Sequence, residues 1–345
     1  MAVIRRPTLD KPHPNKWTYF HWTVTIYSAL FPLWFLLTVL YEDQIWPVWL
    51  LNAASKYLFW PAPVLLVVCL LRRRPRLTAC LVAPLAMFLF LYGHLLLPVP
   101  AVAPRAPSFP FTVATYNVLV GNRDFEALAA TILAQDADIV AVQELVAANA
   151  RPLNDLLSDR FPFHTPLPTE HRLDVGIFSR YPVLHAERIG LPWMDLSWKA
   201  TLLVNGASVQ VLAVHLVPTL LGQASLTQWP TLIREREGLR MEQIDRILDS
   251  LSFGPTLMLC DCNFTETSTA YERVASTLRD AFADAGWGLG HTIHPIDLDL
   301  PLQRIDYVWH SAHFEALSAR VPHGGTSDHY PVVVDLVLHS QSHDE

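Results

Sequence analysis

Residues 20–41 and 77–97 contain no Lys, Arg, Asp or Glu, and each is as long as the roughly 20 apolar residues a helix needs to cross a bilayer. Two such runs in the first hundred residues rule out a single water-soluble globule. A third apolar run, 46–71, is interrupted by Asn52, Lys56, Pro61 and Pro63. It reads as a span, either kinked or preceded by an interfacial turn, because the flanking charges then agree. Arg5, Arg6, Lys11 and Lys16 precede the first run, and Arg72, Arg73, Arg74 and Arg76 join the second to the third, whereas Glu42 and Asp43 lie between the first and second. Basic loops face the cytoplasm, so the expected protein is multi-pass in the cell membrane, its N-terminus inside and everything after the third span outside. Residues 1–100 are thus a membrane anchor, 101–110 a Pro/Ala linker, 111–338 an outer domain and 339–345 a tail. Ala101-Val102-Ala103 has the form of a signal-cleavage site, and cleavage there would free the outer domain; the first run is longer than a signal peptide and lacks such a site after it.

Charge divides the same way. Nine basic and three acidic residues lie in 1–104, leaving sixteen basic and twenty-nine acidic in 105–345, where Lys199 is the single lysine. A domain this acidic lacks the electrostatic footprint of a protein that grips a phosphate backbone. Cys69 and Cys80 fall in or near the spans, and Cys260 and Cys262 alternate with Asp261 and Asn263 in a strand-like stretch. Two cysteines two residues apart in an extended strand would make a strained disulfide, so they read as buried thiols.

The outer domain is a series of apolar, β-branched stretches, and most of them end in a polar side chain. Residues 111–116 run into Asn117, 138–143 into Glu144, 207–214 into His215, and 256–260 into Asp261 and Asn263. Asp306 sits within the strand pattern 304–309, and Gly324-Gly325-Thr326-Ser327-Asp328-His329 precedes the run Val332-Val333-Val334. Asp124 is placed to cap a helix with Phe125, Leu128, Ala129 and Ile132 at helical spacing; Asn205-Gly206 signals a hairpin; 230–251 reads as a long helix ended by Gly254-Pro255. Singly, each polar residue has an ordinary explanation as a cap, a surface carboxylate or a satisfied histidine. Their shared place at strand ends is where α/β proteins assemble sites.

Glu144, Asp261 and Asp328 with the amides of Asn117 and Asn263 form a hard-oxygen set suited to Mg²⁺ or Mn²⁺. Two histidines, His215 and His329, and the further carboxylate Asp306 then supply the groups for phosphoester hydrolysis: charge on the developing anion, a group to handle water, and an acid to orient an imidazole.

Ala114-Thr115-Tyr116-Asn117, Val142-Gln143-Glu144, Gly176-Ile177-Phe178-Ser179-Arg180, Val214-His215, Asp261-Cys262-Asn263-Phe264, Ile305-Asp306-Tyr307 and Ser327-Asp328-His329, in this order, resemble the motifs of the endonuclease/exonuclease/phosphatase superfamily. The resemblance implies an α/β fold, a four-layer sandwich of two face-packed mixed sheets flanked by helices, here preceded by about three transmembrane helices. It implies Glu144 as the principal metal ligand beside Asn117, with Asp328 supporting the metal. His329, oriented by Asp306, would be the general base or contact the scissile phosphate; Asp261 would position or deprotonate water; Asn263 would hold a phosphate oxygen; His215 would stabilise the transition state or serve the leaving group. Cys260 and Cys262 stand where the superfamily usually has glycine and an apolar residue.

Superfamily membership leaves the substrate open. Membrane attachment, an outward-facing domain and its acidity favour a lipid-borne phosphate, a phospholipid or polyprenyl pyrophosphate, with the bilayer as partner and nucleic acid less so. The alternatives are an extracytoplasmic nuclease and a non-catalytic binding protein, and the complete residue set speaks against the latter. Leu191-Pro192-Trp193-Met194 with Trp198, and 216–221, are apolar loops that would either dip into the membrane interface or pack as satellite core.

Overall fold

The computed structural model describes residues 16–97, 110–295 and 300–339. These form two compact units, Met1–Leu40 with Ala54–Leu91, and Tyr41–Ala53 with Tyr92–Glu345. The first unit holds α1 (Lys16–Tyr41) up to its last residue, then α3 (Ser55–Leu58), α4 (Pro61–Leu71), α5 (Pro75–Cys80) and most of α6 (Val82–Leu96). Thr18–Tyr41 and Pro75–Leu96 are long and apolar enough to cross a membrane.

The middle run, read from sequence as a span either kinked or preceded by an interfacial turn, is broken. It breaks at Ala54 into α2 (Trp46–Ala53) and the stretch Ser55–Leu71, and counts as a third span only if the broken pair is taken as one. Its polar residues explain the break. Asn52 is buried and donates Nδ2 to Asp43 Oδ1 at 2.8 Å, and Pro61 starts a new helix at its first turn. Segment Tyr41–Ala53 therefore folds with the C-terminal domain. The 101–109 part of the linker, the candidate cleavage site at Ala103 and the tail beyond residue 339 lie outside the described residues.

The second unit is built on two six-stranded mixed sheets. One has the order β11 (Phe314–Arg320), β12 (Val332–Leu338), β1 (Pro110–Asn117), β2 (Ile139–Leu145), β4 (Asp174–Ser179), β3 (Phe163–His164). The other runs β5 (Val183–Glu187), β6 (Ser197–Val204), β7 (Ala207–His215), β8 (Thr256–Asp261), β10 (Asp306–His310), β9 (Arg279–Asp280). Alternation decides which side chain faces what. In β1 and β2, Ala114, Tyr116, Val140 and Val142 pack with Leu128, Ala129 and Ile132 of α7 (Phe125–Leu133) and with Ala150, Leu153 and Leu157 of α8 (Ala147–Leu157). The opposite faces meet the other sheet, and there the buried Gln143 Nε2 donates to Thr115 Oγ1 at 2.8 Å. Beyond the second sheet, α9 (Trp229–Asp249) and α10 (Thr269–Ala275) bury Ile244, Ile247, Ala270 and Val274 against Met258, Cys260, Tyr307 and Trp309. The layers are helix, sheet, sheet, helix, with the short α11 (Ala281–Ala285) against β10 and β11.

Local expectations hold where the chemistry is local. Asp124 caps α7 through Ala127 N at 3.0 Å, and Asn205 and Gly206, both with positive φ, turn β6 into β7. The cysteines are a correction: Cys260 and Cys262 form a disulfide across a Cα–Cα distance of 5.2 Å. Strand β8 ends at Asp261 and the backbone turns left-handed at Asn263, so the extended geometry that argued against the bond ends between the two cysteines. The apolar loops divide. Leu191, Trp198, Leu216 and Val217 are buried as satellite core, while Trp193 and Leu220 are exposed.

Candidate active site

Each sheet contributes one parallel strand pair, and both pairs end at the same place. In the first sheet, Asn117 ends β1 level with Gln143 of β2. In the second, His215 ends β7 opposite Asp261 of β8, and antiparallel β10 brings Asp306 opposite Asp261 from the other side. Apolar runs that stop at the same level in β1, β2, β7 and β8, together with the start of β10, thus converge polar side chains.

Asp261 is at their centre. Its Oδ2 accepts from Asn117 Nδ2 at 2.9 Å, bridging the two sheets, and lies 3.4 Å from His215 Nε2 and 3.9 Å from His329 Nε2. Its Oδ1 accepts from the backbone N–H of Asn263 at 3.2 Å, and Asn263 Nδ2 donates to the Leu216 carbonyl at 3.0 Å. Asn117, His215, Asp261, Asp306 and His329 are all buried, whereas Glu144, Asn263 and Asp328 are part-exposed.

Glu144 owes its direction to a defect in the sheet. The β2–β4 register shifts between Gln143 and Leu145, so Glu144 is the extra residue of a bulge, at φ 62°. The released side chain accepts from Asn117 Nδ2 at 3.1 Å and from Val120 N at 2.7 Å, and Asn149 Nδ2 bonds its carbonyl at 3.2 Å. Asn263 also stands in the left-handed region, at φ 52°. Non-glycine residues held there cost of order 1–3 kcal/mol each, and such strain collects at functional sites.

The terminal triplet is delivered by a turn whose Gly324 and Gly325 have φ of 112° and 108°. A Cβ on Gly325 would come within 3.0 Å of the Tyr116 hydroxyl. Ser327 Oγ donates to the Asn117 carbonyl at 2.7 Å and accepts from His329 N at 3.2 Å, tying the triplet to the end of β1. His329 Nδ1 pairs with Asp306 Oδ2 at 2.8 Å, which leaves Nε2 facing Asp261. Burial by itself would lower the imidazole pKa, but Asp306 and Asp261 outweigh it and raise it to about 10. Burial in turn raises the Asp306 carboxyl, against the pull of the His329 charge. Asp328 accepts from Ser327 Oγ at 3.4 Å; among the described residues no bond joins it to Glu144.

Three contributors escaped the sequence reading: the orienting hydroxyl of Ser327, Asn149 behind the bulge, and Thr292, whose Oγ1 accepts from Ile305 N at 3.1 Å and Asp306 N at 3.3 Å. Ser327 was visible as part of the triplet. Asn149 lies on helix α8 and Thr292 in a segment without a periodic pattern, and no catalytic motif marks either of them.

The donors fit a hard divalent cation. Asp261, Asp306 and His329 hold ligand-type atoms within 4.8 Å of one another, but a cation among them would break the His329–Asp306 bond. The carboxylate of Glu144 has no such competing charge partner; its two oxygens accept one neutral N–H donor each and keep free lone pairs.

The profile of the endonuclease/exonuclease/phosphatase family matches residues 114–329. Similar solved structures include an endonuclease/exonuclease/phosphatase from Bacteroides vulgatus, 18% identical over 67% of this chain and 100% of that one, with a TM-score of 0.54. Another, from Beutenbergia cavernae, is 22% identical over 67% and 72%, at 0.53. A mannosyl-6-phosphatase from Bacteroides thetaiotaomicron is 15% identical over 66% and 100%, at 0.50. These likenesses speak for the fold, and no curated protein matches the sequence. With most of its length under the family profile, and with the fold to match, the chain belongs to the endonuclease/exonuclease/phosphatase family of metal-dependent phosphoester hydrolases.

Proposed function

We propose that this hydrolase is anchored in the cell membrane with its catalytic unit outside, and that it cleaves a phosphoester or pyrophosphate carried by a lipid. The observation that carries the membrane part is segment Tyr41–Ala53. It lies in sequence between apolar runs, yet it is hydrogen-bonded into the catalytic unit, Trp49 Nε1 to Glu237 Oε1 at 2.6 Å and Thr269 N to Asp43 Oδ2 at 2.7 Å.

In the proposed chemistry, water attacks phosphorus, its oxygen forms the new P–O bond, the ester P–O bond breaks, and the leaving oxygen takes up a proton. Glu144, with Asn117 and Asp328, would hold a divalent cation such as Mg²⁺, which supplies charge neutralisation at the phosphate oxygens. Asp261 orients the attacking water and draws its proton. His329, fixed by Asp306, presents Nε2 to the phosphate, Asn263 holds a phosphate oxygen, and His215 faces the leaving group across Asp261.

The test is a panel of purified full-length protein and Mg²⁺ with polyprenyl pyrophosphate, sphingomyelin, phosphoinositides and plasmid DNA. Release of phosphate or a phosphorylated headgroup from one of the lipids is expected. Catalytic nicking of plasmid without lipid turnover would replace this reading with an extracytoplasmic nuclease.

A further inference from the structure

A cavity of about 200 Å³ lies beside the candidate active site and shares Asn263 with it as a lining residue. Trp49 and Ala53 of α2 form one wall, and Leu220, Phe264 and Ile293 line others. The cavity exceeds the about 150 Å³ that accommodates benzene in an engineered apolar pocket. Its charged residues are already committed. Arg240 is buried and paired with Glu237 three residues earlier, and its NH2 donates to the Val217 carbonyl at 2.8 Å and to Thr219 Oγ1 at 2.9 Å. Asp43 accepts from Asn52 Nδ2 and from Thr269 N. A second phosphate would meet the Asp43 carboxylate and a cation already neutralised, so the lining suits an uncharged, mostly apolar group.

The same residues connect α2 to the reacting end. Trp49 bonds Glu237, Glu237 pairs Arg240, and Arg240 together with Gln243, whose Oε1 accepts from Val217 N at 2.9 Å, fixes the loop after His215. Leu216 of that loop accepts from Asn263. On the far side, Gln303 Nε2 donates to the Ala53 carbonyl at 2.8 Å, so the end of α2 is held as well.

We propose that Tyr41–Ala53 is part of the substrate site: α2 walls a pocket that takes the hydrocarbon next to the scissile phosphate and selects esters carrying an alkyl chain. This rests on the phosphoesterase reading above. It makes the membrane-proximal segment a determinant of specificity as well as a tether.

The test compares kcat/KM of full-length protein in detergent for methyl and octyl p-nitrophenyl phosphate, and for the matching alkyl monophosphates, with Mg²⁺. The octyl-to-methyl ratio of the parent protein is expected above one. Ala53→Phe fills the cavity from α2 and Leu220→Trp from a lining residue on a different element, so that a folding defect in one variant leaves the other to report. Each is expected to lower the ratio about tenfold or more, the size of effect a hydrophobic pocket exerts on chain length. A parent that hydrolyses both esters but whose ratio neither variant moves overturns the pocket while leaving the phosphoesterase reading intact. A parent inert toward all four esters and every substrate of the panel above overturns both.

Discussion

His329 has its Nδ1 held by a buried carboxylate 2.8 Å away and its Nε2 turned toward a second one, so its charge and orientation are set by Asp306 and Asp261 together. Removing the charge of Asp306 while keeping its shape should therefore harm the chemistry and spare the fold. Asp306→Asn is expected to lower kcat roughly 10²–10⁴-fold, the span of a positioned acid–base group, with little change in KM. An equal rise in KM with kcat unchanged would mean that the pair binds substrate without taking part in the reaction. Asp43 is a second buried carboxylate with a different role. Burial first, then the nearby Glu237, raises its pKa to about 6, against the hydrogen bonds from Thr269 and Asn52. An acid whose pKa is higher folded than unfolded stabilises the fold below its unfolded value, near 3.8, and loses that contribution as pH rises to about 6. The difference is at most about 3 kcal/mol. The thermal midpoint of the full-length protein should fall between pH 4 and pH 6.5, and Asp43→Asn should flatten that part of the profile; an unchanged slope would contradict the assignment.

At the scale of elements, what could be read from sequence was the place where each apolar run ends. Asn117, Glu144, His215 and Asp261 stand at strand ends because a buried strand must surrender its apolar pattern where it reaches the site, and that change is local. The bulge at Glu144 was not legible, since a register shift depends on the partner strand and β4 is about thirty residues away in sequence. Strand β11, Phe314 to Arg320, carries Glu, Leu and two alanines that favour helix, and pairing with β12 overrides them. Helix α8 buries Asn149, Ala150, Leu153 and Leu157 at helical spacing, but Pro152 in its middle interrupts the sequence signal for a helix. Composition alone could not place the break in the run 46–71: it is apolar enough to span, but Thr267 Oγ1 donates to the Asn52 carbonyl and Trp49 Nε1 to Glu237, partners more than 180 residues away.

For the whole molecule, the acidity of residues 105–345 and the docking of Tyr41–Ala53 onto the catalytic unit support the same choice of substrate. An acidic domain is repelled by a polyanionic backbone, and a cavity lined by residues of α2 agrees with the proposal of a substrate drawn from the bilayer. Beneath that choice lies the claim that Glu144 and His329, from distant parts of the chain, act as one metal-dependent site. Its most direct measurement is phosphate or phospho-headgroup release from lipid micelles by full-length protein as Mg²⁺ is titrated, for the parent, Glu144→Gln and His329→Ala. The account predicts Mg²⁺-dependent release by the parent and its loss in both variants; full activity in either variant would contradict it.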